Sequence, residues 1–588
     1  MRLKVCNIIL LALVMASCAN RGIGPQGGPR DSIPPRPLKA VPEMGALNFK
    51  GNRIEVTFDE YIQLNNVASN LLMSPPQQNP PDVRAIGKRM IINFVDSLHD
   101  STTYTLDFGD AVCDFRERVP LHGYSFYFST GEEIDTLEYR GRVYDAESLN
   151  PMQGILVGIH RDLSDTAFTS HPFLRIAKTD SAGYFRIGNI HPGKYRLYAV
   201  DDFGRDYRLT PGESLAFAPD PLTIPADSDQ ISNLFLFKEK QQKLYLQKSS
   251  RDERHRVTFL FSASPDSALV WRVLRPSEID STVSDSAWKD PSPYIYTKYS
   301  PRLDTVTLWL TDSAAIRCDS LFFEARYRRT DSVFNLEWYT DTIRAFWRAP
   351  RLSARAIEQQ ARMNRNRRLD LRSNARKDFE IYDTLQIFSA TPLSHIALDS
   401  IHLFLREDTL LKPVPFTLAS HDSLTQELVF LADLQPGMNY ELLLDSGALH
   451  DVYGTTHIKG TYALQVKTPE DYSTLRVKLL PFVSNARIQV LNNKDQVLRE
   501  LPATEEGAFF EHLKPDTYYL RMYIDENGDG QWTTGEWSSR RQPEPIIYFP
   551  GKVQTKSNWD FEEEWDYTST EPMSAKPSEL IKVILKKK

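Results

Sequence analysis

The sequence predicts an all-β protein built from tandem β-sandwich modules, and three observations predict it. Apolar residues alternate with polar ones in short runs bounded by Asp, Asn, Gly and Pro, as in Arg53–Phe58 (RIEVTF), Ser125–Phe128 (SFYF), Lys194–Tyr198 (KYRLY) and Thr305–Leu310 (TVTLWL). Period-two alternation rich in β-branched and aromatic residues marks half-buried strands. Helical periodicity is almost absent. A 22-residue stretch also recurs: Pro192–Glu213 reads PGKYRLYAVDDFGRDYRLTPGE, and Pro515–Glu536 reads PDTYYLRMYIDENGDGQWTTGE. Without gaps these pair Tyr195 with Tyr518, Asp202 with Asp525, Asp206 with Asp529, Thr210 with Thr533 and Glu213 with Glu536.

Length and composition agree with this class. At roughly 150 residues per domain, 588 residues hold about four modules. Apolar residues at 41% and charged residues at 25% are ordinary globular usage, which excludes a mostly disordered, collagen-like or multi-span membrane chain. The formal charge of −7 gives no electrostatic basis for nucleic-acid binding, which needs Lys and Arg to displace counterions from phosphates.

Taken in order, the chain begins with an address. Arg2 and Lys4 precede an apolar run from Val5 to Met15, then Ala16-Ser17-Cys18. Its eleven residues, all apolar but Asn7, cover at ~1.5 Å rise roughly half of a ~30 Å hydrocarbon core, so the run suits a secretory leader better than a spanning helix. Its Met15–Cys18 ending resembles a bacterial lipobox. That resemblance implies a signal peptide over 1–17, a diacylated Cys18 at the mature N-terminus, and an anchor on the bacterial envelope. Palmitate-like chains stabilise such an anchor by ~0.8 kcal/mol per buried methylene. A Gly/Pro-rich tether follows over 18–35 (NRGIGPQGGPRDSIPPRP from Asn20), with no strand before its glycines and no helix after them to make a phosphate loop. Surface-export signals of Bacteroidota-type lipoproteins are typically acidic just after the lipidated cysteine. No acidic run stands here, so the expected location is the outer membrane, facing the periplasm.

A first module over 36–131 runs from IEVTFDEYI through YTLDFGDAVCDF to YSFYFSTG, and with its GGPRDSIPPRP lead it resembles the SbsA-type bacterial Ig-like domain of envelope lipoproteins. A second, over 137–238, carries YRGRVYDAESLNPMQGILVGI and TDSAGYFRIGNIHPGKYRLYAVDD and resembles transthyretin-like or carboxypeptidase-regulatory-like sandwiches. Both resemblances imply non-catalytic building blocks. A β-rich region follows over 240–346. Arginines at 355, 362, 365, 367, 368, 372 and 376 then mark a basic, helical linker over 350–377. Tyr440–Leu444 with Gly447–Asp451 echoes Tyr104–Asp114, so a second Ig-like module is expected over 378–470. The 22-residue repeat places a second transthyretin-like module over 473–555, leaving 556–588 as an acidic, then basic, tail. Of four cysteines, Cys6 leaves with the leader and Cys18 carries lipid. Cys113 and Cys318 fall in different modules and read as lone thiols.

One stretch carries metal chemistry. Asp525–Glu536 (DENGDGQWTTGE) satisfies the calcium-loop pattern, with side-chain oxygens from Asp525, Asn527 and Asp529, a backbone carbonyl from Gln531 and the carboxylate of Glu536. Against it, Tyr518–Ile524 alternates like a strand rather than the helix an EF-hand needs. The alternative is an Asx- and Gly-rich loop whose carboxylates cap its own backbone. No H-E-x-x-H, G-x-S-x-G or C-x-x-C occurs, and the twelve histidines lie singly, so no enzyme is expected. The expected role is a lipid-anchored spacer or scaffold for envelope proteins. The alternative is a surface-displayed adhesin for glycan or protein, for which an exposed, coplanar pair among Trp532, Trp537, Trp559 and Trp565 would speak.

Overall fold

Alternating runs become strands because each strand then buries one side chain in two against a facing sheet. The computed structural model describes residues 31–225, 232–239, 244–265, 269–274, 279, 295–300, 302–331, 336–349, 353, 368–419 and 424–582. The leader, Cys18, most of the tether, and Arg355, Arg362, Arg365 and Arg367 lie outside the described residues. The regular structure of the described chain is nearly all β, and it forms five separate hydrophobic cores. These belong to two compact units, one of the chain up to Asp145 with Asn150–Phe237, the other of Lys238–Ile581.

In the first unit, the first module packs two sheets. One orders Pro37–Val41, Arg53–Phe58, Arg89–Asn93 and Asp82–Ile86; the other orders Leu72–Ser74, Thr103–Asp107 and Ser125–Ser129. Lettered along the chain, this is A-B-E-D on C-F-G, the order of a constant-type Ig sandwich. Ile54, Val56 and Phe58 alternate inward to meet Tyr104, Leu106, Phe126 and Phe128. The second module has a three-stranded sheet with Leu137–Asp145 at its centre, flanked by Tyr184–Ile190 antiparallel and Ser232–Leu236 parallel. Against it lies a five-stranded sheet in which Gly193–Val200 pairs Leu156–His160, Leu215–Phe217 and Leu222–Ile224, with Arg175–Lys178 outside Leu156–His160.

In the second unit, the β-rich region also has the A-B-E-D on C-F-G order. Leu246–Glu253, Arg256–Phe261, Thr305–Leu310 and Ile295–Tyr299 make one sheet; Val270–Val273, Ser320–Thr330 and Leu336–Phe346 make the other. The fourth module repeats the first nearly strand for strand. Its sheets run Leu371–Ser373, Leu385–Ile396, Thr425–Ala432, Phe416–Leu418 and Leu410–Pro413, Ile401–Glu407, Asn439–Leu444, Gly460–Gln465. Two strands of the first module are fused here in the long Leu385–Ile396, and Leu410–Pro413 is added at an edge. The fifth module has the topology of the second without exception. Ser473–Leu480 lies between Ala508–Leu513 and the parallel Asp560–Asp566, and Thr517–Ile524 pairs Ala486–Leu491, Ile546–Tyr548 and Val553–Gln554.

Two expectations are corrected. The basic linker is no helix over its described part: Leu369 is buried, Leu371–Ser373 is a strand, and the fourth module therefore begins before residue 378. Apolar Leu369 and Leu371 alternate with Asp370 and Arg372, a period of two that neighbouring arginines conceal. Nor is 556–582, the described part of the last segment, a tail. Phe561 and Trp565 alternate with acids along Asp560–Asp566, and Trp565 is 1% exposed in the fifth core. Leu580 is fully buried as well.

Candidate functional site

The Asp525–Glu536 segment leaves the Thr517–Ile524 strand as a loop with the geometry of backbone capping. Asp525 Oδ1 accepts from the Gly528 N–H at 2.7 Å and Oδ2 from the Gly530 N–H at 2.9 Å. Asp529 Oδ1 accepts from the Gln531 N–H, and the Asn527 amide donates to Asp529 and Thr533. Gly528 and Gly530 stand at φ +73°, left-handed positions that suit glycine. Glu536 turns away to accept from the Ser539 hydroxyl. The carboxylate closing the loop is one the sequence reading missed: Glu544 accepts from the Glu526 N–H at 2.9 Å and the Thr533 N–H at 2.8 Å.

The first copy of the repeat explains why. Asp202 there accepts from the Asp206 and Tyr207 N–H groups, while Glu213 accepts from the N–H groups of Phe203 and Thr210, at 2.8 and 3.0 Å. Phe203 and Thr210 are the positions of Glu526 and Thr533. The structural counterpart of Glu213 is therefore Glu544, not Glu536, and an insertion around the Glu536/Arg541 bridge separates the two. The signal was present in sequence: Glu213 lies two residues before the Leu215–Phe217 strand, and Glu544 two before Ile546–Tyr548. Both Asp525 oxygens are taken by amides, Glu536 stands outside the set, and the described residues hold no group of three or more acidic, His or Cys side chains arranged for a metal. Copy one keeps the same capping with Gly204 and Tyr207 where Asn527 and Gly530 stand.

The four tryptophans do not form an exposed pair. Trp565 is core; Trp532 and Trp537 are half-buried, with the Trp532 indole N–H donating to the Glu544 carbonyl. Trp559 alone is open, at 59% exposure, with its ring 6.3 Å from Phe561 at 26° and the Lys556 ammonium 5.5 Å away. It borders a shallow groove of about 310 Å³ with Glu470, Glu511, His512 and Asp560.

The first and second modules are joined by a buried charge, and so are the fourth and fifth. Arg175, 5% exposed in the second module, donates to the carbonyls of Ser74 and Thr103 in the first and meets Asp135 at 3.3 Å. Burial pulls this guanidinium down, and the Asp135 charge opposes it. In the second unit, Glu380 of the fourth module accepts from the Tyr472 hydroxyl at 2.7 Å and pairs Lys467 at 3.1 Å and Lys514 of the fifth module at 2.8 Å. Burial alone would raise the Glu380 carboxyl; its hydrogen bonds to Lys514, Tyr472 and Lys467 hold it down at about 2. The thiols of Cys113 and Cys318 are free, and burial pushes that of Cys113 up.

Residues 31–130 match the family model described as a bacterial Ig-like domain. No curated protein matches the chain. Among solved structures, domains 1–6 of the surface layer protein SbsC align over 90% of this chain and 67% of that one at 8% identity, with a TM-score of 0.13. Native alpha-2-macroglobulin from Escherichia coli, domains MG0-NIE-MG1, aligns over 53% and 97% at 12% identity, with a TM-score of 0.17. Protocadherin Gamma B2 cadherin domains 3–6 align over 74% and 99% at 9% identity, with a TM-score of 0.12. Likeness at this level does not establish a shared overall arrangement. The chain contains a bacterial Ig-like domain within a tandem array of β-sandwiches.

Proposed function

We propose that this protein is a non-catalytic, lipid-anchored component of the bacterial cell envelope, held at Cys18 on the periplasmic side of the outer membrane. Its paired Ig-like and transthyretin-like sandwiches act as a spacer or scaffold for envelope proteins. One observation carries the reading. Among the polar residues retained in both copies of the repeat, Tyr195/Tyr518 and Asp202/Asp525 spend polar atoms on the chain's own backbone, as do the structurally equivalent Glu213/Glu544. A duplicated pair that keeps its loop-holding groups fits use as a structural part.

Metabolic labelling with a palmitate analogue tests the anchor: wild type should incorporate it and fractionate with outer membrane, and C18A should do neither. A labelled C18A protein, or an unlabelled wild type, overturns the reading. The adhesin reading draws on the open Trp559 groove. Loss of the protein on protease shaving of intact cells would favour it over periplasmic scaffolding.

A further inference from the structure

The third module exposes a sheet face whose chemistry differs from the rest of this acidic chain. In its three-stranded sheet, Phe323, Ala325, Tyr327, Ile343 and Ala345 point into the core, so the intervening residues form the outer face. That face carries Arg272 on one strand, Phe322, Arg326 and Arg328 on the next, and Trp338, Arg344 and Phe346 on the third. Among the described residues of these strands, four arginines stand on that face against one acid, Glu324, which pairs Arg272 at 3.4 Å, while Glu337 and Asp341 alternate to the other face. Cation–ring contacts order the array. The Arg326 guanidinium lies 5.0 Å from the Trp338 ring, and Arg344 lies 6.0 and 5.5 Å from Phe322 and Phe346. Trp338 and Phe346 remain 52% and 50% exposed.

We infer that this face is a binding site for an anionic polysaccharide. A pleated face presents side chains at roughly 7 Å along each strand and about 4.8 Å between strands, a flat grid that an extended polymer can follow. Guanidinium forks recognise carboxylate or phosphate in bidentate fashion, and stacking on rings orders them before the ligand arrives. The exposed indole of Trp338 beside Arg328, its directly opposite residue, supplies an apolar platform for a sugar ring next to a cation for its acid group. Charge complementarity selects the ligand class: a net −7 chain that gathers four arginines on one face is built to meet negative charge there. The inference stands whether or not Cys18 carries lipid.

The test is affinity electrophoresis and titration of the full chain at 0.15 M salt with polygalacturonate, neutral dextran and poly-L-glutamate as probes. Polygalacturonate should retard the protein and dextran should not. R326Q/R328Q and W338A should each weaken polygalacturonate binding at least tenfold while leaving the melting profile in place. R344Q, on the same face, serves if the double variant fails to fold. Absence of binding overturns the site. So does equal retardation by poly-L-glutamate with W338A unaffected, which would mark a mere charge patch or an acidic-protein surface.

Discussion

The second and fifth modules share every strand pairing and yet cover the same sheet face with opposite chemistries. Register sets the equivalence: Gly158 opposite Tyr198 in one is Gln489 opposite Arg521 in the other. In the second module the face is aromatic. Tyr198 stacks on Phe168 at 4.2 Å and 10°, Phe173 covers Gly158, and His160 lies against Phe173 and Tyr198. In the fifth it is a polar network. Arg521 donates to Gln489 and to the Tyr548 hydroxyl, Gln489 and Tyr523 donate to Glu500, and Tyr548 and a fully enclosed Lys576 both meet Asp495. The second module covers the face by ring packing, with His160 Nε2 left without a hydrogen-bond partner, and the fifth covers it with polar groups that partner one another. The hydrophobic core between the sheets fixes the topology, and the outer face is free to change so long as it changes as a set.

Exchanging one member of a set should therefore do the most damage. Gly158→Gln puts the fifth module's residue into the second, where a Cβ would already come 2.2 Å from the Phe173 ring. The expected loss is about 3–5 kcal/mol, from overpacking plus an unpartnered amide. Native-state hydrogen exchange at the amides of Leu156–His160 and Gly193–Val200 reads it locally. Unchanged protection there would show that the aromatic cover yields freely.

The two junctions extend the comparison. Arg175→Ala strips partners from two buried carbonyls and Asp135, and should cost about 3 kcal/mol in the first unit. Glu380→Gln keeps an acceptor for Tyr472 and leaves Lys514 half-exposed, so it should cost less, about 1–2 kcal/mol in the second. Thermal melts of the full chain followed by module-resolved exchange would rank them. A reversed order would mean that solvent reaches the Arg175 pocket.

Acid should separate the two faces too. Burial, with His171 nearby, lowers His160 to about 4, whereas the fifth module has Leu491 at that position. A histidine held neutral in the fold protonates first in the unfolded chain. Its stabilisation is therefore full above pH ~6.5 and declines as pH falls towards 4, by at most about 3 kcal/mol and, allowing for relaxation, nearer 2. Exchange in Leu156–His160 measured from pH 7 to 4 should show that decline in wild type and a flatter profile in His160→Leu.

Much of this was legible because the signal is short-range. The strands Arg53–Phe58 and Thr305–Leu310 declare themselves by alternation, and the Tyr195/Tyr518 repeat marked two modules as copies. Tyr104 and Tyr440, likewise paired from sequence, each accept from the backbone N–H five residues earlier. What was hidden was alternation masked by charge. The acids at 562–564 read as a solvated tail until the parallel pairing with Ser473–Leu480 turned Trp565 inward. Three-dimensional pairing also decides which carboxylate closes a loop, and there an ungapped comparison chose Glu536 because it cannot see an insertion.

That choice gives the smallest and sharpest test. If Glu544 is the counterpart of Glu213, then Glu213→Gln and Glu544→Gln should each remove one charge-assisted acceptor from a pair of loop amides and cost about 1–2 kcal/mol. Glu536→Gln touches only the exposed Ser539 contact and should fall within about 0.5 kcal/mol of wild type. Exchange protection of the Thr210 and Thr533 amides distinguishes them directly. Equal sensitivity of the Thr533 amide to loss of Glu536 would restore the ungapped equivalence and, with it, the argument that this loop is organised as a metal site rather than around its own backbone.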